Sequence, residues 1–213
     1  MTTNKHILIA EDDDFLRLLL QTQCEELGLS VDTVENGELL ITAALSYQYD
    51  IIITDIQMPI CDGIQAMQLL RQLGYDRPIY AMSADAVTED GFNKVLTKPI
   101  NNQQLADALL QASAVQRIPL VIDDALTRLF YENLRQQSVE FNLALAERNQ
   151  TLMRQICHKV KGGAASFGHT ELANTADQLQ TQLQQSTLDA DLLSVCQHFS
   201  LLLHQCGVTN AAS

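Results

Sequence analysis

The chain has 213 residues, and its 26 acidic against 13 basic residues leave a formal net charge of −13. This balance makes nucleic acid and anionic membrane surfaces poor partners, and no apolar run reaches the ~18 residues of a membrane span. Five cysteines without a CxxC pair favour reduced thiols in the cytoplasm over a disulfide framework or a zinc site. The sequence has no glycine-rich nucleotide loop, so it shows no kinase ATP site.

The first half alternates short apolar runs with segments of helical periodicity. The predicted strands cover residues 7–10, 31–34, 51–53, 79–82 and 95–96. The predicted helices cover residues 15–27, 38–47, 63–73 and 101–112. Strands that alternate with helices through short connections predict an α/β doubly wound, five-stranded parallel sheet. Such sheets bind ligands beyond the C-terminal ends of their strands.

The second half changes to helical periodicity throughout, with no proline after Pro119. Its pattern predicts four or five antiparallel helices in a bundle. We therefore divide the chain into a first domain at 1–114, a linker at 115–122, an all-α domain at 123–207 and a tail at 208–213. Residues 1–116 carry a net charge of −11, so the acidity belongs to the first domain.

Carboxylates follow two strands that are neighbours in such a sheet. Glu11, Asp12 and Asp13 come directly after the first strand, and Asp55 comes after the third. Close carboxylates repel one another unless a cation lies between them, and Mg²⁺ prefers oxygen ligands of this kind. An aspartate after a strand also commonly caps the next helix. The joint placement, rather than any single residue, therefore predicts a magnesium site.

The fourth predicted strand ends at Ser83, and the fifth leads to Lys98-Pro99. A metal ion, a hydroxyl and an ammonium around one carboxylate suit phosphoryl transfer to that carboxylate. Together they stabilise the charge on the phosphoryl oxygens in the transition state.

These motifs resemble those of a two-component receiver domain, which has a flavodoxin-like sheet. They are ILIAEDD, the DIQMPICDG segment that begins at Asp55, Ser83-Ala84 after YAM, and Lys98-Pro99. The resemblance implies that Asp55 is the phosphoacceptor. It also implies that Glu11, Asp12, Asp55 and the backbone carbonyl of Gln57 bind Mg²⁺. Asp13 is the weaker candidate for a metal ligand, because the acidic pair of the family aligns with Glu11 and Asp12.

The resemblance further implies that Ser83 hydrogen-bonds the phosphoryl group, that Lys98 pairs with it, and that the Lys98-Pro99 bond is cis.

The sequence departs from the receiver pattern at two places. Val95 occupies a position that usually carries an aromatic switch residue. The connection from Ser83 to Lys98 is about two helical turns short, at 3.6 residues per turn. We therefore predict that the helix between the fourth and fifth strands is shortened or absent, which leaves apolar sheet surface to be covered.

His158 lies on the polar face of a predicted helix in the second domain. Its apolar face comprises Leu152, Met153, Ile156, Cys157 and Val160. We therefore expect His158 to project into solvent. The surrounding stretch, 148–170, contains four basic residues and no acid, which predicts a basic surface suited to an acidic partner. An exposed histidine without a function is the alternative.

The segment HKVKGGAASFG resembles the core of a histidine phosphotransfer domain. The resemblance implies a four-helix bundle in which His158 is the phosphoacceptor, Lys161 pairs with the phosphoryl group and Gly162 provides clearance. Gln180 falls where relatives often place a glutamine that orients the imidazole. The other four histidines match no motif.

The sequence therefore predicts a phosphorelay protein rather than an enzyme with its own kinase domain. Asp55 accepts a phosphoryl group from a sensor histidine kinase, and His158 relays phosphate to or from a receiver aspartate, including that of a downstream response regulator. One alternative is a hydrolase of the haloacid dehalogenase type, but such enzymes need a second aspartate where this chain has Gln57. The other is a degenerate receiver that serves only as an interaction module.

Overall fold

A computed structural model describes residues 5–84, 90–109 and 124–209. The chain divides into two compact units, Met1–Val121 and Ile122–Ser213. The elements of the first unit are β1 (His6–Ala10), α1 (Asp14–Glu26), β2 (Ser30–Val34), α2 (Gly37–Ser46), β3 (Ile51–Asp55), α3 (Gly63–Gln72), β4 (Ile79–Ser83), β5 (Lys94–Thr97) and α4 (Asn102–Leu109). Those of the second are α5 (Asp124–Ala146), α6 (Gln150–Ser166), α7 (Thr170–Gln185) and α8 (Ala190–Thr209).

The first unit contains a five-stranded sheet in the order β2-β1-β3-β4-β5, with every neighbouring pair parallel. This confirms the predicted doubly wound sheet. The strand order reverses between β1 and β3, which lie side by side with Ile9 opposite Ile53. That reversal opens a crevice at the C-terminal ends of these two strands, where ligands of such sheets bind.

The central strands of the sheet are buried on both faces, to which successive residues of a strand point in turn. Ile7 and Ile9 pack in a core with α1 and α4, whereas Leu8 and Ala10 pack in a second core with α2 and α3. All four side chains are fully excluded from solvent. Burial on both faces explains why these strands appear in the sequence as continuous apolar runs.

The connection between β4 and β5 contains no helix among its described residues, which are Ala84 and 90–93. The prediction of a missing or shortened helix also involves residues 85–89, which lie outside the described residues. Phe92 packs against the core shared with α2 and α3. The connection itself therefore covers part of the apolar sheet surface.

Arg71, at the end of α3, holds this connection in place. Its guanidinium donates to the carbonyls of Tyr75 and Arg77 at 2.6 and 2.8 Å and to the carbonyl of Gly91 at 3.0 and 3.1 Å. It also donates to Oδ1 of Asn93 at 2.7 Å, an atom that accepts from the backbone N–H of Ile79 as well. One planar side chain thus satisfies three backbone carbonyls and one side-chain amide oxygen, which lie on the two loops that flank β4.

The second unit is a helical bundle with a core of large apolar side chains. Phe130, Phe141 and Phe199 are almost fully buried, and the rings of Phe141 and Phe199 meet edge to face at 4.9 Å. The last helix runs to Thr209, two residues into the predicted tail. Four helices agree with the predicted bundle.

Within the described residues, no helix has both the length and the apolar content that crossing a membrane requires.

Replacement of Arg71 by Lys or Met should lower the free energy of unfolding by about 1–2 kcal/mol, because several charge-assisted hydrogen bonds are lost. The lysine variant should be little more stable than the methionine variant, since one ammonium cannot reach three carbonyls on two separate loops. Urea unfolding measures the effect, with Arg154→Lys, an exposed arginine of the bundle, as control. A stable Arg71→Lys variant would contradict this role of the planar guanidinium.

Candidate functional site

Two adjacent strands place buried carboxylates at the same edge of the sheet. Glu11 follows β1 and Asp55 ends β3, and each is only 1% exposed. Asp12, between Glu11 and the start of α1, is partly buried. The parallel pairing of β1 with β3 is what brings residues 44 positions apart in the sequence to one point.

Lys98 reaches this point from the loop after β5. Its Nζ lies 2.8 Å from Oδ2 of Asp55 and 2.9 Å from Oε2 of Glu11, and its side chain is 10% exposed. The peptide bond between Lys98 and Pro99 is cis, as the sequence analysis expected. The ammonium therefore bridges the two carboxylates inside the protein.

The charges of this cluster shift its proton affinities. Burial is the main cause that raises the pKa of Glu11 to about 8, and the neighbouring aspartates add to the rise while Lys98 opposes it. Burial by itself lowers the pKa of Lys98, but the carboxylates of Glu11 and Asp55 together hold it above the usual range. Lys98 thus stays protonated, whereas the carboxylate of Glu11 lacks enough compensating positive charge.

The cluster has the chemistry of a site for a divalent cation. One oxygen atom from each of Glu11, Asp12 and Asp55 lies within 4.8 Å of the others. When all three carboxyl groups are ionised, they and the ammonium of Lys98 carry two formal negative charges, which a divalent ion would balance. Hard oxygen ligands of this kind are those that Mg²⁺ prefers. The residues therefore fit the ion that the sequence predicts.

The structure also places the other predicted receiver residues. Ser83 ends β4, and its carbonyl accepts a hydrogen bond of 2.8 Å from the backbone N–H of Lys98. This bond keeps the loop after β5 beside the end of β4. Gln57 lies two residues after Asp55 and is exposed. Asp13 instead caps α1 by accepting a 2.9 Å hydrogen bond from the N–H of Leu16.

Two residues that support Asp55 were not singled out from the sequence. Thr54 is fully buried, and its hydroxyl donates to the carbonyl of Asp55 at 2.9 Å. Gly63 begins α3 so close to β3 that a Cβ atom there would lie 2.1 Å from the same carbonyl. The glycine of the DIQMPICDG motif was a signal for Gly63, but its close approach to Asp55 depends on the tertiary structure.

In the second unit, α6 presents His158, Lys161 and Gly162 on one side and its apolar residues on the other. Met153, Ile156, Cys157 and Val160 are buried. His158, Lys161 and Gly162 are all partly buried. The expectation that His158 projects freely into solvent is thus corrected, because α7 packs along this side of α6.

The surface around His158 is also less basic than the sequence window suggested. Nζ of Lys161 lies 2.5 Å from Oδ1 of Asp177 on α7. This acid stands outside the stretch 148–170, so the local count of charges did not include it. The two helices are joined by a short turn and run antiparallel. Starting from the contact between Lys161 and Asp177, three residues back along α6 and three residues onward along α7 therefore reach the same level. Gln180 therefore stands at the level of His158.

Comparison with known proteins assigns the two units to two sequence families. Residues 7–110 match the response regulator receiver domain, and residues 125–206 match the Hpt domain. The sensor histidine kinase GacS of Pseudomonas protegens is 33% identical over 117 residues, which is 49% of this chain. The sensor protein EvgS of Escherichia coli is 27% identical over 200 residues, which is 82% of this chain.

The chain spans only a small part of these relatives, 13% of GacS and 17% of EvgS. Among solved structures, the receiver domain of a sensor histidine kinase from Pseudomonas aeruginosa was determined with a magnesium ion in its active-site cleft. It is 28% identical to this chain, with a TM-score of 0.48, and the match covers 51% of this chain and 97% of that one.

Replacement of Gly63 by Ala should destabilise the first unit by roughly 1–3 kcal/mol, the usual effect of overpacking. The new methyl group would press on the carbonyl of Asp55, so the ends of β3 and α3 must separate. Thermal unfolding measures the change, with Gln72→Ala, an exposed position of the same helix, as control. Equal melting temperatures for the two variants would contradict the close approach.

Proposed function

Because the chain belongs to the signalling proteins that carry a response regulator receiver domain followed by an Hpt domain, we propose that Asp55 and His158 are its two phosphoacceptors. Phosphorelay signalling is the process in which these two kinds of domain work together. One observation carries the assignment of Asp55, namely that Lys98 lies within hydrogen-bond distance of its carboxylate in a buried site. When a phosphoryl group is added to Asp55, the ammonium of Lys98 can pair with one of the phosphoryl oxygens.

At Asp55 the reaction is a transfer between two nucleophiles. A carboxylate oxygen attacks the phosphorus of a kinase phosphohistidine, a P–O bond forms, the P–N bond breaks, and the donor imidazole keeps the electron pair. Lys98 pairs with one phosphoryl oxygen, and the hydroxyl of Ser83 donates a hydrogen bond to another. Both groups are held on the ends of strands, so little reorganisation is needed as charge develops.

The acidic cluster would hold Mg²⁺ through Glu11, Asp12, Asp55 and the backbone carbonyl of Gln57. When bound, the ion supplies positive charge that offsets the repulsion between the carboxylates and an incoming phosphoryl group. Support comes from the set of oxygen ligands and from the two formal negative charges that Lys98 leaves unbalanced.

At His158 an imidazole nitrogen attacks the phosphorus of an aspartyl phosphate. A P–N bond forms, the P–O bond breaks, and the aspartate leaves as a carboxylate. Lys161 lies on the same side of α6 three residues later and can pair with the phosphoryl group. Gln180 stands at the same level on α7, where an amide can orient the imidazole. Gly162 leaves space for a partner domain beside the ring.

The partners implied by this chemistry are a sensor histidine kinase that supplies phosphate and a downstream response regulator that receives it. Neither matched family is a kinase domain, so the phosphate reaches Asp55 from a kinase domain that these two units do not include. The five cysteines are free thiols, in keeping with the reducing cytoplasm, where we place this relay.

The two alternative functions have weaker support. A hydrolase of the haloacid dehalogenase type needs an acid two residues after the nucleophile, and the chain has the exposed amide of Gln57 there. A degenerate receiver would have lost part of the site, whereas Asp55, Lys98 and the acidic pair converge in this protein.

Acetyl phosphate should add one phosphoryl group to the His158→Ala variant in the presence of Mg²⁺ and none to His158→Ala/Asp55→Asn. Asparagine has nearly the size of aspartate but lacks the nucleophilic carboxylate. Intact-mass spectrometry measures the added mass. Equal labelling of the two proteins would show that Asp55 is not the acceptor.

Transfer through the second site has a matching test. His158→Gln should still accept phosphate on Asp55 but should pass none to a purified receiver, because its amide is not a nucleophile. The distant His204→Gln, an exposed histidine of the same bundle, serves as control and should transfer normally. Normal transfer by His158→Gln would exclude His158 as phosphoacceptor.

Removal of magnesium should abolish labelling by acetyl phosphate while leaving the fold intact. EDTA should reduce the labelled fraction by at least about tenfold, because the carboxylates then repel the anionic donor. Added Mg²⁺ should restore labelling and raise the melting temperature. Glu11→Gln or Asp12→Asn should weaken the thermal shift, and an unchanged shift in both variants would contradict this ion site.

A further inference from the structure

The ion pair between Lys161 and Asp177 links the two helices that flank the proposed phosphoacceptor histidine. The ammonium lies 2.5 Å from one carboxylate oxygen, so the contact is a charge-assisted hydrogen bond. The side chain of Lys161 is 21% exposed and that of Asp177 is 53% exposed. The pair therefore sits at the protein surface, and its carboxylate faces water on one side.

Its position connects it to His158. Lys161 follows His158 by three residues and shares its side of α6. Asp177 precedes Gln180 by three residues on α7, so the two pairs of residues stand on neighbouring turns of the α6–α7 hairpin. Asp177 is therefore one helical turn from the point where a phosphoryl group on His158 would lie.

We propose that Asp177 is a positioning residue that holds Lys161 beside His158 while the imidazole is unphosphorylated and releases it to the phosphoryl group. The proposal rests on the assignment of His158 as phosphoacceptor. A phosphoryl group carries about −1.5 to −2 charges at pH 7, whereas a carboxylate carries one, so it competes well for the ammonium. Release costs little, because the exposed carboxylate of Asp177 is solvated when it loses its partner.

Asp177 thereby competes with the phosphoryl group for Lys161 and makes the phosphohistidine less stable than Lys161 alone would allow. A relay intermediate must pass its phosphate on, so a weakly held group is useful there. The contrast with Lys98 is informative. Lys98 is nearly buried between two buried carboxylates, whereas Lys161 has one exposed carboxylate partner and can exchange it.

The test uses the full chain with Asp55→Asn, so that phosphate is retained only on histidine, and potassium phosphoramidate as phosphate donor. In this background Asp177→Asn should lengthen the half-life of the phosphohistidine by about two- to fivefold, the range expected for an exposed ion pair. Lys161→Met should shorten it, and Asp177→Glu should behave like the parent. The midpoint of the phosphorus NMR titration should move to lower pH in Asp177→Asn and to higher pH in Lys161→Met.

The double variant Asp177→Asn/Lys161→Met decides whether Asp177 acts through Lys161. Its half-life should match that of Lys161→Met, so that the two changes are not additive. Glu132→Gln is the control, because it removes one negative charge from α5 and should not change the half-life. Glu132 is next to Tyr131, whose hydroxyl contacts His169 beyond the end of α6. A half-life for Asp177→Asn equal to that of Glu132→Gln, or an undiminished effect in the Lys161→Met background, would overturn the proposal.

Failure of the proposed function gives a different result. Labelling of Asp55→Asn/His158→Gln by phosphoramidate as strongly as of Asp55→Asn would show that His158 is not the site. Circular dichroism of every variant checks the helical content. A loss of helix in Asp177→Asn with retention in Asp177→Glu would assign Asp177 a structural role and overturn the proposal as well.

Discussion

The receiver unit is organised around one buried ammonium between two buried carboxylates. Burial of a charge is costly unless a partner of opposite charge lies close by, and Lys98, Glu11 and Asp55 satisfy one another in this way. The supporting contacts act on the same point. Thr54 and Gly63 hold the carbonyl of Asp55, and the carbonyl of Ser83 holds the backbone of Lys98. These contacts hold the side chains that we propose as nucleophile, cationic partner and metal ligands close together.

The Hpt unit also has a lysine paired with a carboxylate, but this ion pair is more exposed to water than the one in the receiver unit. Lys161 and Asp177 form an ion pair at the surface, where water competes for both charges. Lys98 lies between two buried carboxylates, whereas Lys161 has an exposed carboxylate partner. The depth of each lysine therefore matches the role that we propose for it, because Lys98 stabilises a carboxylate that must stay ionised, whereas Lys161 must change partners when phosphate arrives.

The connection between β4 and β5 shows how the receiver fold tolerates a short segment. Arg71 holds the connection through the carbonyl of Gly91 and Oδ1 of Asn93, and Phe92 packs against the core on one face of the sheet. Because both anchors reach α3, the described part of the connection is tied to the same helix that begins at Gly63 beside the acceptor strand. Val95 lies on β5 at the edge of the sheet, where a larger aromatic side chain is common in the family that the sequence resembles.

The sequence by itself determined the two kinds of unit and the edge of the sheet at which the candidate site lies. Short apolar runs that alternate with helical segments predicted the parallel sheet, since burial on both faces favours continuous apolar runs such as residues 51–53 of β3. The positions of Glu11, Asp55 and Lys98 at the ends of predicted strands predicted that their side chains converge, because parallel strands share one C-terminal edge, and the structure brings them together. Only the tertiary structure decided that Asp13 caps α1, that Gly63 lies against Asp55, and that Asp177 pairs with Lys161. These facts depend on distances between segments far apart in the chain, and a local pattern carries no information about which side chains such segments bring into contact.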